Sequence, residues 1–216
     1  MFYASYGSFI HKLIEKYYRG ELEIAELPTA FLLGFSDQVL GERPQESVVV
    51  KYIQAGKSYF EDFRPFPFEP LAVEEKLDFD LDGKPFTAIL DFRGAADGKL
   101  AIVDNKSRDL KPRSKAGKYT AKDRELDEML EQLYLYAHGV YRLYGEFPEW
   151  LCFNCFKTKQ FIQEPFRKPV YVQTMDKIRR KIDEIESEED FRPNIDYFQC
   201  GHLCGLHDGC CYYRGG

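Results

Sequence analysis

Three strand-like segments, joined by two Asp-Gly turns, occupy the middle of the chain between residues 71 and 107. They read LAVEEKLDFDL, PFTAILDFRG and KLAIVDNKS, and the turns between them are Asp82-Gly83 and Asp97-Gly98. An Asp-Gly pair between two apolar, alternating segments is a strong signal for a tight hairpin. The pattern therefore predicts three consecutive antiparallel strands, which excludes an all-helical fold.

Helical patterns precede these strands. Apolar residues recur at helical spacing over 6–19 and predict an amphipathic helix, and a less regular helical pattern covers much of 28–62. The segment RPFPFEP, residues 64–70, lies between this region and the strands. Its three prolines predict an extended connector and not a regular element.

The sequence after the strands predicts a helix, a strand and a second helix. Apolar spacing predicts a helix over 120–144 that ends at Gly145, and another helix over 170–189. The run EWLCFNCFKT between them is apolar enough for a buried strand. We therefore interpret Cys152 and Cys155 as core residues.

These elements predict an α/β fold with a central mixed β-sheet flanked by helices. The chain of 216 residues is 44% hydrophobic and can bury one sizeable core, so we expect a single domain over 1–216. We divide it into a helical N-terminal part (1–63), a core (71–190) and a Cys-rich tail (191–216). The chain lacks both an apolar run of the roughly 18 residues that span a bilayer and the pattern of a secretory signal. We expect a cytoplasmic protein of cellular or phage origin, with no membrane partner.

The net charge of −6 argues against attraction of the whole protein to nucleic acid, so any nucleic-acid site must be local. Between residues 105 and 124 the chain has eight basic and two acidic residues. This basic segment predicts a nucleic-acid contact, for which the candidates are Arg108, Lys111, Arg113, Lys115, Lys118 and the aromatic Tyr119. The alternative is a solvated loop with charged flanks.

Two carboxylates and a lysine stand at the ends of the second and third predicted strands. Asp91 in AILDF and Asp104 in IVDNKS each follow apolar residues that anchor a strand in a sheet. Carboxylates from adjacent strands are suited to share a divalent cation, with the carbonyl of Asn105 as a third oxygen ligand. Lys106 is on the same strand face as Asp104 and is placed to offset charge on a phosphate.

Three further motifs flank these residues. In chain order they are Gly7-x-x-x-His11, the Glu74-Glu75 pair and Gln132-x-x-x-Tyr136. Together with the two aspartates and the lysine, this order resembles the RecB-like branch of the PD-(D/E)XK nuclease superfamily, over nearly the whole chain. The resemblance implies a restriction-endonuclease-like core.

The resemblance also implies roles for individual residues. His11, Asp91 and Asp104 would bind a catalytic Mg²⁺ or Mn²⁺, assisted by the Asn105 carbonyl. Lys106 would be the catalytic lysine. Gln132 and Tyr136 lie one helical turn apart and would brace the site near the DNA backbone.

Two of these assignments have open alternatives. His11 is either a metal ligand or a partly buried histidine on an apolar helix. Strand parity groups Glu75 with Leu77 and Glu74 with Lys76, but it does not decide which face holds the metal. Both Glu74 and Glu75 therefore stay candidates for the site.

Four cysteines fall in the last 17 residues: Cys200, Cys204, Cys210 and Cys211. In a reducing compartment such crowding is more often a metal site than a set of disulfides. Many RecB-like nucleases hold a [4Fe-4S] cluster with three C-terminal cysteines and one near the N-terminus, but no cysteine precedes Cys152 here. The fourth ligand of such a cluster would be the second cysteine of the 210–211 pair or His207. Alternatively, the tail holds Zn²⁺ through cysteine and histidine ligands. The remaining alternative is that the cysteines are free thiols or form an adventitious disulfide.

The first functional hypothesis is a metal-dependent DNA nuclease, an exonuclease or an enzyme that acts on single strands and ends. The resemblance implies a role in DNA recombination, repair, replication or phage DNA processing, beside a separate helicase or recombinase, because the chain has no P-loop. The second hypothesis is a non-catalytic nucleic-acid-binding or assembly module with a structural zinc or iron-sulfur site. The third is an unrelated α/β protein. The presence of every acidic and lysine position favours the enzyme.

Overall fold

The computed structural model describes residues 2–114, 119–193, 195–197, 199–206 and 209–212. The α-helices are α1 (Phe2–Tyr18), α2 (Leu27–Gln38), α3 (Glu46–Glu61), α4 (Ala121–Tyr144) and α5 (Lys168–Ser187), with a 3₁₀ turn at Ile24–Glu26 and a π-turn at Gln199–Leu203. The strands are β1 (Glu69–Leu81), β2 (Lys84–Ala96), β3 (Lys99–Lys106), β4 (Trp150–Cys155) and β5 (Gln160–Pro165). Three site candidates, Lys115, Lys118 and His207, lie outside the described residues.

The strands form one mixed sheet in the order β1-β2-β3-β4-β5. All neighbours are antiparallel except β3 and β4, which are parallel and are connected through α4, as a parallel pair requires. Both predicted hairpins turn at their Asp-Gly pairs, whose four residues all have positive φ, as type I′ turns demand. The predicted antiparallel strands and the mixed sheet are confirmed.

The structure divides the chain into two compact units, residues 1–175 and residues 176–216. The sheet and helices α1 to α4 belong to the first unit, and α5 begins in it. The cysteine-rich tail belongs to the second unit. The site described below is built from the first unit alone.

Helix α4 has the sequence signals of both its ends. The hydroxyl of Thr120 accepts the Asp123 N–H, and the Asp123 carboxylate accepts the Thr120 N–H in return, which is a capping box. The helix ends at Gly145, whose φ of 77° is left-handed. The helix predicted over 120–144 is therefore confirmed.

The helical region predicted over much of 28–62 is confirmed, and it consists of two helices, α2 and α3, separated by residues 39–45, where Gly41 has a φ of 107°. The sequence does not predict strand β5, because only Ile162 of its six residues is buried. An edge strand with one buried residue has no clear alternation of apolar and polar positions.

The centre of the sheet is buried on both faces. Residues Ala101 to Val103 of β3 are fully buried, and so are Leu151 to Phe153 of β4. Cys152 and Cys155 are both inaccessible, and burial raises the pKa of each thiol, that of Cys155 to about 11. These two cysteines are core residues, as the sequence predicts.

Aromatic side chains fill the space between α1, α2, α3 and the sheet. Phe31 of α2 lies at the centre of this core, stacked on Phe9 at 5.8 Å between ring centroids. Its ring also packs directly against the backbone of α3 at Gly56. The close approach of the two helices therefore depends on the absence of a side chain at this position.

We expect Gly56→Ala to destabilise the protein by about 1–2 kcal/mol, although alanine is the better helix former. A Cβ at Gly56 would lie 2.2 Å from Cζ of the fully buried Phe31. Overpacking costs about 1–3 kcal/mol, which exceeds the helix-propensity gain of about 1 kcal/mol. Gly7→Ala is the matched control, because its Cβ would meet nothing closer than Ser107 Cβ at 4.0 Å. Urea unfolding followed by circular dichroism measures both; equal stability of the two variants would contradict this expectation.

Candidate metal centre

The register of β2 and β3 places Asp91 opposite Asp104. Phe92 pairs with Val103, so the aspartates, one residue before and one residue after this pair, face each other across the two strands. The backbone N–H of Asn105 donates a hydrogen bond of 2.6 Å to Asp91 Oδ2. Strand β3 therefore holds the Asp91 carboxylate of strand β2.

His11 and Glu74 bring two more potential ligands to Asp91. One nitrogen or oxygen atom from each of these three residues lies within 4.8 Å of the other two. His11 Nδ1 lies 3.5 Å from Asp91 Oδ2. Within the described ranges, this is the one cluster of at least three histidine, cysteine or carboxylate ligands so close together.

Glu74 has a left-handed backbone, with a φ of 51°. Positive φ is uncommon outside glycine and costs on the order of 1–3 kcal/mol, so it persists where the surroundings enforce it. Val73 pairs with Phe92 in the register of β1 and β2, and Glu74, the next residue, therefore lies opposite Asp91. The irregular residue of β1 is thus the one that contributes to the ligand cluster.

Glu75 lies in a different cluster. Arg93 donates two hydrogen bonds to its carboxylate, of 2.8 and 2.9 Å, and the hydroxyl of Tyr144 donates a third. Burial alone raises the pKa of Glu75, but the bonds from Arg93 and Tyr144 outweigh it and hold the pKa below its ordinary value. Glu75 is occupied by an ion pair, and the geometry favours Glu74 as the ligand.

Lys106 joins Asp104 to helix α4. Its Nζ lies 2.8 Å from Asp104 Oδ2 and donates a hydrogen bond of 2.8 Å to Gln132 Oε1. Gln132 Nε2 in turn donates to the hydroxyl of Tyr136. The structure therefore connects Lys106 to Gln132 and, through Gln132, to Tyr136 on the same helix.

Asp104 is buried, with 5% of its surface exposed. Its Oδ2 lies 2.8 Å from Lys106 Nζ and has no other partner among the described residues. Burial raises the pKa of Asp104 to about 6, despite the opposing charge of Lys106. A buried carboxylate oxygen of this kind is a suitable ligand for a cation.

Two further pKa shifts report the crowding of carboxylates. Burial alone lowers the pKa of His11, but its hydrogen bond with Asp91 and the nearby negative charges hold the pKa above its ordinary value. Burial and the charge of Asp91 raise the pKa of Glu74. Oxygen donors with one imidazole suit Mg²⁺ or Mn²⁺, so the residues present fit such an ion.

Basic residues of the segment between 105 and 124 form ion pairs, most of them with carboxylates outside the segment. Arg113 donates to Asp127 at 2.7 Å and to Glu164 at 3.1 Å, so two carboxylates offset its charge. Arg108 lies 3.5 Å from Glu125, and Lys111 lies 2.8 Å from Asp109. Tyr119 is 63% exposed and donates its hydroxyl to Asp127. Nucleic-acid contact by these residues stays a prediction, and Arg113 is the one most fully engaged in holding the segment.

None of the six cysteines, all of which lie in described residues, forms a disulfide. Cys200 lies in the π-turn, Cys204 directly follows it, and Cys210 and Cys211 come later in the tail. The described part of the tail contains no set of three sulfur or imidazole ligands close enough to share one metal ion. A [4Fe-4S] cluster or Zn²⁺ in the tail, with His207 as one candidate ligand, therefore stays a prediction.

Three residues of the site region were not anticipated from the sequence. Arg93 and Tyr144 hold Glu75, and Asn154 of β4 donates to the side chain of Asn105 at 2.7 Å. The only signal for Asn154 was its polarity within the apolar run of β4. Arg93 and Tyr144 had no distinguishing signal, because charged strand residues and helix-terminal tyrosines are common at surfaces.

Carboxylates and a lysine of the sheet, together with the histidine of α1, form a site suited to metal-assisted cleavage of phosphodiester bonds. The family model of the PD-(D/E)XK nuclease superfamily matches residues 2–211, and the chain belongs to this superfamily. Membership supports a nuclease. The RecB-like branch stays a prediction. No curated protein matches the chain.

The structure is similar to the crystal structure of a candidate exonuclease from Eubacterium rectale. The two chains are 12% identical, and the alignment covers 92% of this chain and 80% of the other, with a TM-score of 0.50. At this identity the similarity concerns the fold alone. It agrees with the restriction-endonuclease-like core that the sequence predicts.

None of the described helices combines the length and the apolar character that a membrane span requires.

Proposed function

We propose that the protein is a Mg²⁺- or Mn²⁺-dependent DNA nuclease of the RecB-like branch, and that it acts as an exonuclease. The observation that carries this proposal is the convergence of His11, Glu74 and Asp91 beside the Asp104–Lys106 pair. The resemblance to RecB-like nucleases suggests DNA recombination, repair, replication or phage DNA processing as its setting, with a helicase or recombinase as partner.

The side chains that would hold the cation are His11, Glu74, Asp91 and Asp104, with the Asn105 carbonyl as a further oxygen donor. A bound divalent ion lowers the pKa of water and offsets negative charge on a phosphate, which is the chemistry that phosphodiester hydrolysis needs. The buried Asp104 oxygen, which has Lys106 as its one partner among the described residues, and the raised pKa of Glu74 both support a site that is completed by positive charge.

Lys106 supplies the fixed positive charge of the site. An ammonium group has three N–H donors. Contacts with Asp104 and Gln132 engage two of them, and the third is available to a water molecule or a phosphate oxygen. Because Gln132 is bonded to Tyr136 on the same helix, α4 restricts the rotamers of the lysine and preorganises it for the developing charge.

Degradation of end-labelled DNA tests the proposal. Single- and double-stranded linear DNA and a circular single strand are incubated with Mg²⁺, with Mn²⁺ or with EDTA. We expect cleavage of the linear substrates only with metal, release of short products from the ends, and resistance of the circle. Cleavage of the circle at the same rate would indicate an endonuclease. If neither DNA nor RNA is cut with any metal, the binding-module hypothesis replaces the enzyme.

We expect Glu74→Gln to reduce cleavage about 100-fold and Glu75→Gln to leave it within about fivefold of wild type. Glu74 contributes an oxygen to the ligand cluster, and loss of a charged ligand weakens the cation site. Glu75 is engaged by Arg93 and Tyr144, so its substitution should instead cost about 1.5–3 kcal/mol of stability. Initial cleavage rates and thermal unfolding of both variants separate the two effects. The opposite pattern would assign the ligand role to Glu75.

A further inference from the structure

Asn154 is the one polar residue of the interior of β4, in the run WLCFNC. It is 6% exposed, and its neighbours Phe153 and Cys155 are fully buried. Burying an amide among apolar side chains costs free energy unless it is hydrogen-bonded, so packing alone does not explain a polar residue at this position.

The amide nitrogen of Asn154 donates two hydrogen bonds. Its Nδ2 donates to Asn105 Oδ1 at 2.7 Å and to the hydroxyl of Tyr59 at 2.7 Å. An amide nitrogen has two hydrogens, and each therefore has one acceptor. Asn105, the neighbour of Asn154 in the parallel register of β3 and β4, is equally buried at 6% exposure. The side-chain bond thus fixes two buried residues on adjacent strands.

Asn105 connects this amide pair to the candidate metal centre. Its side chain accepts from Asn154, while its backbone N–H donates to Asp91 Oδ2 at 2.6 Å. It also lies between Asp104 and Lys106, whose side chains point to the other face of β3 because strand residues alternate. A rotation of the backbone at Asn105 would therefore move Asp91, Asp104 and Lys106 relative to one another.

We propose that Asn154 is a positioning residue. Through Asn105, it acts from the face of the sheet opposite Asp104 and Lys106 and holds the carboxylates in the geometry that binds the cation. The proposal rests on the metal-dependent function proposed above. Asn154 does not touch a ligand atom or the substrate. Partners of this kind, which orient the ligands of a metal, typically change metal affinity or activity by 10–100-fold when they are removed.

The test is Mn²⁺ binding to the protein without nucleic acid, measured by isothermal titration calorimetry. We expect Asn154→Ala to weaken Mn²⁺ binding about 10-fold. The substitution leaves Asn105 Oδ1 without its hydrogen-bond donor, and a rotation of the backbone at Asn105 toward another donor would displace the carboxylates. In cleavage assays, kcat should fall at low Mn²⁺ and recover when Mn²⁺ is raised, with an unchanged KM for DNA. A purely structural role would not give this recovery.

Tyr59→Phe is the matched control, because it removes the other acceptor of Asn154 and leaves the bond to Asn105 intact. It should lower the unfolding temperature and keep Mn²⁺ affinity within about twofold of wild type. Asn105→Ala is the second variant, for the case that Asn154→Ala does not fold. It retains the backbone N–H that holds Asp91, and it should weaken Mn²⁺ binding as much as Asn154→Ala does.

Combining Asn105→Ala with Asn154→Ala should weaken Mn²⁺ binding no further than either change alone, since both remove the same bond. Wild-type Mn²⁺ affinity in folded Asn154→Ala or Asn105→Ala would overturn the inference while leaving the proposed function in place. Absence of Mn²⁺ and Mg²⁺ binding by the wild-type protein would instead contradict the proposed function itself.

Discussion

Asp104→Asn should reduce metal-dependent cleavage at least about 1,000-fold and leave the protein without metal at least as stable as wild type. The carboxylate is 5% exposed, and Lys106 is the one partner of its Oδ2 in the described part of the chain. The substitution removes a buried charge but keeps the shape of the side chain. Loss of a charged ligand weakens the cation site, and loss of the cation removes both activation of water and charge neutralisation.

The pH dependence of stability provides an independent measure of the same carboxylate. Burial raises the pKa of Asp104 to about 6, so the folded state binds a proton that the unfolded state has lost. Stability without metal therefore falls as pH rises from about 4 through about 6, by a few kcal/mol at most. Asp104→Asn should remove the part of this decrease that Asp104 contributes and leave the smaller parts from His11 and Glu74, whose pKa values are also raised. Urea unfolding in EDTA at pH 5 and pH 8 measures the difference between the two proteins.

Asp78→Asn is the control for this comparison, since Asp78 is a strand aspartate that is 58% exposed in its ion pair with Lys76. It should change neither cleavage nor the pH dependence of Asp104. An Asp104→Asn variant that is folded and cleaves DNA at the wild-type rate would show that Asp104 is not a ligand. A loss of both folding and activity would instead indicate a structural role.

The fold was predictable where short segments of sequence determine the backbone by themselves. The two Asp-Gly pairs adopt positive φ at both positions, and this fixes the register of three strands. Thr120 and Gly145 likewise define both ends of α4. Strand β5 was not predictable in this way, because it is stabilised by pairing with β4 and buries Ile162 alone.

The candidate site was predictable only as a set of residue types in order. The sequence could not distinguish Glu74 from Glu75, because alternation along a strand assumes a regular backbone. The φ of 51° at Glu74 breaks that regularity, and the bidentate pairing of Glu75 with Arg93 depends on contacts across two strands. The role of Asn154 likewise depends on the parallel register of β3 and β4, which joins segments 49 residues apart.

The basic segment shows the limit of counting charges. The eight basic residues between positions 105 and 124 predict a nucleic-acid contact when the sequence is considered alone. In the structure, the charge of Arg113 is shared between Asp127 and Glu164, residues that lie 14 and 51 positions further along the chain. Arg108 and Lys111 each have a single, exposed ion pair, with Glu125 and Asp109, and such pairs are weak. These two residues therefore remain better candidates for phosphate contacts than Arg113.

Lys106→Met should lower kcat about 100- to 1,000-fold and leave the affinity for Mn²⁺ within a few-fold of wild type. Lys106 contributes no metal ligand, but its ammonium group is 16% exposed and is held between Asp104 and Gln132. A preorganised donor of this kind stabilises charge that develops in the transition state, and removal of one such donor typically costs this factor. Single-turnover cleavage at saturating Mn²⁺, with calorimetric Mn²⁺ titration, separates the loss of charge stabilisation from a loss of metal.

The same substitution leaves the Asp104 carboxylate buried without its partner, which should cost about 3–5 kcal/mol of stability in EDTA. Mn²⁺ should stabilise the variant and the wild-type protein by similar amounts, because their affinities for the ion are similar, so the difference in stability should persist with metal. Lys99→Met, in the exposed pair with Glu149, is the control and should change neither kcat nor stability appreciably. If Lys106→Met weakens Mn²⁺ binding as strongly as Asp104→Asn does, the lysine acts by positioning the carboxylate, and its direct role in the reaction is contradicted.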